Sequence, residues 1–105
     1  MEYDVDEILK IISDKYCRQI INAITNDPKS AFEISTQCNI FLGTVYRKIQ
    51  LLQQVGILTT HSRITDERKR SVTYQSKISG ATIRYCNNEL KISTVPAEPN
   101  LNFTP

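Results

Sequence analysis

The chain has 105 residues, of which 40% are hydrophobic and 23% are charged, and its net charge is +2. This balance is typical of one soluble globular domain rather than of a disordered chain. The few glycines, cysteines and the single histidine form no phosphate loop, CxxC pair or catalytic constellation, so we expect no enzyme, cofactor or metal site. No apolar run approaches the ~18 residues that span a membrane, and the acidic N-terminus lacks a signal region, so we expect a cytoplasmic protein without a membrane partner.

Positive charge is concentrated in one part of the sequence. Residues 1–15 contain five acids and two bases, whereas residues 39–75 contain six bases and two acids. A polyanionic partner would therefore meet the 39–75 region rather than the N-terminus.

The first predicted helix covers residues 4–13. Asp4 and Glu7 resemble a capping box in which Asp replaces the usual Ser or Thr. One apolar stripe follows the helical period and consists of Val5, Ile8, Leu9 and Ile12. Ile11 lies off this stripe, so the helix is apolar on two sides, which would suit a subunit interface.

Two further helices are predicted before residue 40. The second covers residues 14–25 and ends before Asn26-Asp27-Pro28, because proline cannot continue a helix. The third begins with a capping box formed by Ser30 and Glu33, takes its apolar groups from Phe32 and Ile34, and ends near residue 38.

The fourth predicted helix, residues 42–54, has two different faces, and Gly56 suits the position just beyond its end. Its apolar face consists of Val45, Ile49 and Leu52. Its opposite face consists of Thr44, Arg47, Leu51 and Gln54, with Lys48 beside it. Such a helix can pack against its own domain and offer a polar, cationic side to a partner.

A β-hairpin with a basic tip is predicted after this helix. Residues 57–64 and 71–77 are rich in β-branched and aromatic side chains, which favour strands. Residues 65–70, Thr-Asp-Glu-Arg-Lys-Arg, form the charged turn between them.

A second hairpin is predicted over residues 81–95, around the turn Asn87-Asn88, because asparagine tolerates positive φ. The register that this turn implies places Tyr85 opposite Leu90 and Ile83 opposite Ile92, with the apolar residues on one face. The domain is thus predicted to cover residues 1–95, and the proline-containing residues 96–105 are predicted to form a flexible tail.

The order of three helices, a short turn before the last of them and a basic hairpin is that of a winged helix-turn-helix, an α+β fold. A major groove about 12 Å wide admits one α-helix, and helix 42–54 has the two faces that this requires. In this interpretation Arg47 reads guanine, Gln50 or Gln54 reads adenine, and the hairpin tip holds phosphates or enters the minor groove.

The stretch from Asp14 to Tyr74 resembles archaeal and bacterial winged-helix transcriptional regulators of the ArsR-like type. The resemblance is carried by Ser30-Ala31-Phe32-Glu33-Ile34, by Gly43-Thr44-Val45-Tyr46-Arg47-Lys48-Ile49, and by Asp66-Glu67-Arg68-Lys69-Arg70 followed by Val72-Thr73-Tyr74. It implies DNA contacts from Thr44, Tyr46, Arg47, Lys48, Arg68, Lys69 and Arg70. Gln54 and Arg63 complete our candidate set of DNA-binding residues.

The chain departs from this family in three places. Metal-sensing members carry paired cysteines in the third helix, where this chain has only Cys38, so no metal is expected. A hairpin stands where many members have a C-terminal dimerisation helix. Phe41 occupies a position where a small hydroxyl residue often caps the recognition helix, which leaves this helix without an obvious cap.

We expect sequence-specific binding to double-stranded DNA by a homodimer, since one helix and one wing offer few contacts. The candidate dimer interfaces are helix 4–13 and hairpin 81–95. Two alternatives are a winged-helix protein–protein interaction module and a nonspecific architectural DNA-binding protein. No cluster of residues indicates an effector ligand.

Overall fold

The computed structural model describes residues 3–98 and shows an α+β domain in which four helices precede two antiparallel hairpins. The helices are α1 (Val5–Ser13), α2 (Lys15–Ala23), α3 (Ala31–Cys38) and α4 (Leu42–Val55). The strands are β1 (Leu58–Ile64), β2 (Arg70–Ser76), β3 (Ile78–Cys86) and β4 (Glu89–Pro96). The α+β class and the succession of helices and hairpins predicted from the sequence are confirmed.

Side-chain caps begin three of the four helices. Asp4 accepts a hydrogen bond from the backbone of the first turn of α1 (3.1 Å), and Asp14 accepts two from the first turn of α2 (2.8 and 3.1 Å). Ser30 and Glu33 form the predicted reciprocal capping box of α3, with distances of 3.1 and 2.9 Å. These caps satisfy amides that would otherwise lack partners, so they fix where each helix begins.

The core is formed by the inner faces of all four helices and the first residues of β1 and β3. The largest fully buried side chains are Ile8, Ile20, Ile24, Ile34, Leu52, Ile57, Ile78, Val45 and Cys17. The inner side of α1 is centred on Ile8 and Ile11, which are buried, and not on the predicted stripe, whose other members Val5, Leu9 and Ile12 are half-buried. Because α1 contacts α2, α4 and β4, its two apolar sides both have neighbours within the domain.

The first hairpin is held against the helices by an isolated β-bridge. β1 and β2 pair from Leu58 opposite Ser76 to Ile64 opposite Arg70. Lys29, between α2 and α3, pairs with Tyr74 of β2 through two backbone hydrogen bonds of 3.1 and 2.8 Å. The β1–β2 hairpin is therefore fixed beside α3.

The second hairpin has the predicted register and turn. Tyr85 lies opposite Leu90, and the two turn residues have φ of 52° and 63°. The paired part is longer than predicted, because β3 begins at Ile78, whose partner is Pro96, and the Ala97 amide donates to the Lys77 carbonyl (2.9 Å). The predicted tail thus starts too early at residue 96, and residues 99–105 lie outside the described residues.

A junction at residues 76–78, in which Ser76 and Ile78 are buried, joins the two hairpins. The Ser76 amide donates to the Ile24 carbonyl (2.9 Å), and the Lys77 amide donates to the Ile57 carbonyl (2.7 Å). The Ser76 hydroxyl donates to the Ile78 carbonyl (2.6 Å) and accepts from the Ile78 amide (3.2 Å). Both hairpins are therefore anchored to the ends of α2 and α4.

None of the helices described between residues 3 and 98 is long and apolar enough to cross a membrane.

Candidate nucleic-acid interface

Helix α4 has the two faces that the sequence predicts. Val45, Ile49 and Leu52 are buried on its inner side. The opposite side, which we call the α4 outer face, is exposed and consists of Gly43, Arg47, Gln50 and Gln54. Thr44, which the sequence places on this face, is half-buried at its edge. Leu51 is partly exposed and lies between this face and α1, where it lines a small cleft with Ile11. The α4 outer face is the convex, polar surface that a groove could receive.

The turn between α3 and α4 is held by hydrogen bonds and by one buried side chain. Asn39 adopts the left-handed conformation (φ 56°), which ends α3 and reverses the chain. The next residue, Ile40, is buried, and its amide donates to the Ser35 carbonyl (3.1 Å), while the Ser35 hydroxyl donates to the Ile40 carbonyl. This turn fixes the N-terminus of α4, where Phe41 provides no side-chain cap, as the sequence indicates.

Arg47 is exposed on the α4 outer face and makes no ion pair within residues 3–98. Its guanidinium donates to the hydroxyl of Thr44, one turn earlier (3.1 Å). This contact directs the guanidinium toward the N-terminal end of α4. The other donors of the guanidinium remain available for a planar acceptor such as a guanine edge.

Lys48 has a different situation from that of Arg47. Its ammonium lies 2.6 Å from the Asp14 carboxylate, and both side chains are largely buried. The hydrogen bond from Lys48, together with the backbone amides at the start of α2, holds the pKa of Asp14 below its ordinary value although burial opposes this. Lys48 therefore ties α4 to the start of α2.

Tyr46 lies on the opposite flank of α4 and is about half exposed. Burial raises the pKa of Tyr74 on β2, and the charge of Tyr46 raises it further to a smaller extent. The α4 outer face is thus bordered by α2 on the Lys48 side.

Arg63 of β1 is engaged within the domain. Its guanidinium lies 3.0 Å from a carboxylate oxygen of Glu33, in an exposed ion pair between the hairpin and the N-terminus of α3. The backbone of Ser30 and, to a lesser extent, Arg63 lower the pKa of Glu33. Since exposed ion pairs of this kind are worth about 0–1 kcal/mol, an anion could displace Glu33 at little cost.

The tip of the first hairpin presents three basic side chains that have no ionic partner among the described residues. The Thr65 amide donates to the Lys69 carbonyl (2.9 Å), the Lys69 amide donates to the Thr65 hydroxyl (3.2 Å), and Arg68 has φ 60°. Arg68, Lys69 and Arg70 are exposed, and none of them forms an ion pair with any other described residue. Asp66 and Glu67, exposed in the same loop, partly offset their charge.

The remaining reactive side chains do not assemble into a site. Burial raises the pKa of Cys17 to about 11, which keeps this thiol protonated and unreactive. Cys86 is exposed beside the second turn, and His61 is exposed on β1. Across residues 3–98, no three His, Cys, Asp or Glu side chains are grouped so that they could hold a metal ion.

The structure therefore leaves four of the predicted basic side chains exposed and without an ion pair to another described residue: Arg47, Arg68, Lys69 and Arg70. It gives Lys48 and Arg63 ionic partners within the domain, and it places Gln54 on the α4 outer face, with Thr44 and Tyr46 on its two flanks. Comparison with protein-family models gives no match to the chain, and comparison with curated proteins gives none either. The assignment of a function therefore rests on α4 and the β1–β2 hairpin.

Proposed function

We propose that the chain is a winged helix-turn-helix protein that binds double-stranded DNA sequence-specifically, as a transcriptional regulator of the ArsR-like type that its sequence resembles. The observation that carries this proposal is the α4 outer face. Arg47 is exposed there with donors to spare, while the other side of the same helix is buried in the core. A helix held in this way can enter a major groove without losing its packing.

The position of the β1–β2 hairpin supports the same assignment. The Lys29–Tyr74 pairing holds this hairpin against the segment that precedes α3, and the Arg63–Glu33 ion pair joins it to the start of α3. The hairpin therefore accompanies the helix-turn-helix to the duplex. The basic side chains at its tip, which have no ionic partners among the described residues, would neutralise phosphates. Such contacts are a major source of affinity in protein–DNA complexes.

We assign roles to the candidate residues on α4 and at the hairpin tip. Arg47 reads guanine bidentately, and Gln50 or Gln54 reads adenine through its side-chain amide. Arg68, Lys69 and Arg70 contact phosphates or the adjacent minor groove. Lys48 sets the rotation of α4 through Asp14, so we assign it a positioning role rather than a base contact.

The experiment is a selection from a pool of random duplexes, followed by titration of the enriched sequence. Arg47→Ala should weaken binding by about 1–3 kcal/mol and relax the preference at one base pair. Arg84→Ala is the matched control, because Arg84 is an exposed arginine on β3 whose side chain lies on the face of the hairpin opposite to Tyr85. Equal weakening on all sequences would make Arg47 a phosphate contact, and the absence of any enriched sequence would favour a nonspecific DNA-binding protein or a protein-interaction module.

The hairpin tip is tested by the salt dependence of binding. The slope of log K against log salt is negative, and replacing Arg68, Lys69 and Arg70 by alanine should make it less steep. The magnitude should fall by about 0.9 for each phosphate that the variant no longer neutralises. Neutralising Arg84 and Lys91 on the second hairpin should leave the slope unchanged. An unchanged slope in the tip variant would show that the tip makes no electrostatic contact with DNA.

We further propose that the protein binds as a homodimer, because one α4 and one hairpin cover a single half-site. Of the two candidate interfaces, α1 buries Ile8 and Ile11 in its own domain, whereas the second hairpin leaves Tyr85 71% exposed. Light scattering should give twice the chain mass of 12.0 kDa. Tyr85→Ser should lower this mass toward the monomer, and a wild-type monomer at micromolar concentration would contradict the proposal.

A further inference from the structure

Phe41 has the most exposed side chain among the large hydrophobic residues described, with 88% of its surface accessible. It occupies the N-cap position of α4, where it makes no side-chain hydrogen bond to the first turn. A Ser, Thr, Asp or Asn side chain in this position would cap the helix, and it would expose a polar rather than an apolar group to water. The Phe41 carbonyl accepts the first hydrogen bond of α4, from the Val45 amide (3.0 Å), but its side chain contributes neither to the start of the helix nor to the core.

The exposure of Phe41 follows from the stiff turn before α4. Ile40 is buried and held by two hydrogen bonds to Ser35, and the backbone at Phe41 is extended (φ −54°, ψ 136°). Ile40 is only 6% exposed, whereas the side chain of Phe41, the next residue, lies in solvent. The aromatic ring is thus presented to solvent by a fixed backbone rather than by a loose loop.

The surroundings of Phe41 indicate which partner it meets. The Arg47 guanidinium is directed back toward the same end of α4 by its hydrogen bond to Thr44 (3.1 Å). Recognition helices contact base edges mainly with their N-terminal residues. Among the four bases, thymine alone presents an apolar group, its 5-methyl, in the major groove, and phenylalanine is one of the side chains that contact it.

We infer that Phe41 is a specificity-determining residue that packs against the 5-methyl group of a thymine close to the base pair contacted by Arg47. This inference rests on the proposed function and adds to it the base composition of the half-site. The Arg47 guanidinium is held beside Thr44, which lies about one helical turn, or ~5.4 Å, from Phe41. Nucleotides follow each other at ~3.4 Å along a DNA strand, so the thymine lies within about two base pairs of the Arg47 contact.

The experiment uses the duplex enriched by the wild-type protein from the random pool. Each thymine of this duplex is replaced in turn by uracil, which lacks only the 5-methyl group. In each half-site, one replacement should weaken wild-type binding about fourfold, the factor that corresponds to one buried methyl group. Phe41→Ala should bind the thymine and uracil duplexes equally, and Phe41→Leu should retain part of the difference.

The control is Phe32→Ala, which removes another exposed phenylalanine, on α3, and should keep the full preference for thymine. Circular dichroism should show that all three variants keep the wild-type fold, because neither side chain is buried. Wild-type binding that is specific but indifferent to uracil at every position would overturn the inference and leave the proposed function intact. Failure to enrich any duplex would overturn both.

Discussion

The contact between Asp14 and Lys48 gives the sharpest prediction about how α4 is held. One carboxylate oxygen of Asp14 caps α2 through two backbone amides, and the other accepts from the Lys48 ammonium at 2.6 Å. Asp14→Ala removes both functions, Asp14→Asn keeps the cap and removes the charge, and Lys48→Met removes the ammonium and keeps most of the apolar stem. The three variants therefore separate the cap from the ion pair.

The magnitudes follow from these contacts. Loss of an N-cap costs about 1 kcal/mol of unfolding free energy. Exposed ion pairs contribute about 0–1 kcal/mol, and this pair, with side chains only 27% and 20% exposed, belongs near the upper end. We therefore expect Asp14→Asn to cost about 1 kcal/mol and Asp14→Ala about 2 kcal/mol. For a domain of this size, each kcal/mol lowers Tm by roughly 4–8 °C.

The assay is urea unfolding followed by circular dichroism for the wild type, the single variants and the double variant Asp14→Asn/Lys48→Met, at several pH values. The pKa of Asp14 is lowered in the folded state from its ordinary value of 3.8. The ion pair therefore contributes fully above the unfolded pKa, and its contribution is lost as the pH falls through the folded pKa. The difference between wild type and Asp14→Asn should be constant from pH 7 to about pH 5 and shrink below about pH 4.

The double-variant cycle provides the refutation. If Asp14→Asn and Lys48→Met cost the same together as the sum of their separate costs, the two side chains do not stabilise each other. A difference from wild type that grows in acid would also contradict the reasoning, because it would place the folded pKa above the unfolded one.

Four further predictions concern the core, the turns and the thiols. Leu52→Ala should cost about 3 kcal/mol in urea unfolding, because this side chain is fully buried in the core. Asn88→Ala should cost about 1 kcal/mol, measured in the same way, since alanine tolerates φ 63° poorly. A thiol reagent at pH 8 should modify Cys86 in the native protein, and should modify Cys17 only after unfolding, as mass spectrometry of the labelled peptides will show. Phe41→Ser should raise stability by about 1 kcal/mol through a new N-cap while removing the preference for thymine.

Local features of the fold were predictable because their causes lie within a few residues. The capping box of α3 requires only Ser30 and Glu33, and the second turn requires only two asparagines that tolerate positive φ. Gly56 takes φ 91° at the end of α4, as expected of the residue that follows a helix. The register of the second hairpin follows from its two-residue turn and its apolar alternation.

Features that depend on distant residues were not predictable. The partner of Lys48 is separated from it by 34 positions, and no spacing pattern indicates such a contact. The periodicity of α1 gives the width of its apolar side but not its centre, which depends on the neighbours that cover Ile11. Phe32, expected to be an apolar contributor to packing, is 69% exposed because the inner side of α3 is taken by Ala31 and Ile34.

The candidate site shows the same division. That α4 would expose Arg47 follows from helical period alone, whereas the ionic partners of Lys48 and Arg63 depend on how α2 and α3 pack. Long cationic side chains are therefore the least certain part of such a prediction. Their charge can be satisfied inside the domain or by a ligand, and only the tertiary structure distinguishes the two.

The junction at residues 76–78 has a mechanical consequence. The two hairpins meet at this junction, where the Ser76 and Lys77 amides donate to carbonyls at the ends of α2 and α4. Because the two hairpins share these hydrogen bonds, a displacement of one hairpin at the junction would strain the other. The amides of Ser76 and Lys77 should accordingly be among the slowest in the chain to exchange with deuterium, while those at the two tips exchange within the dead time.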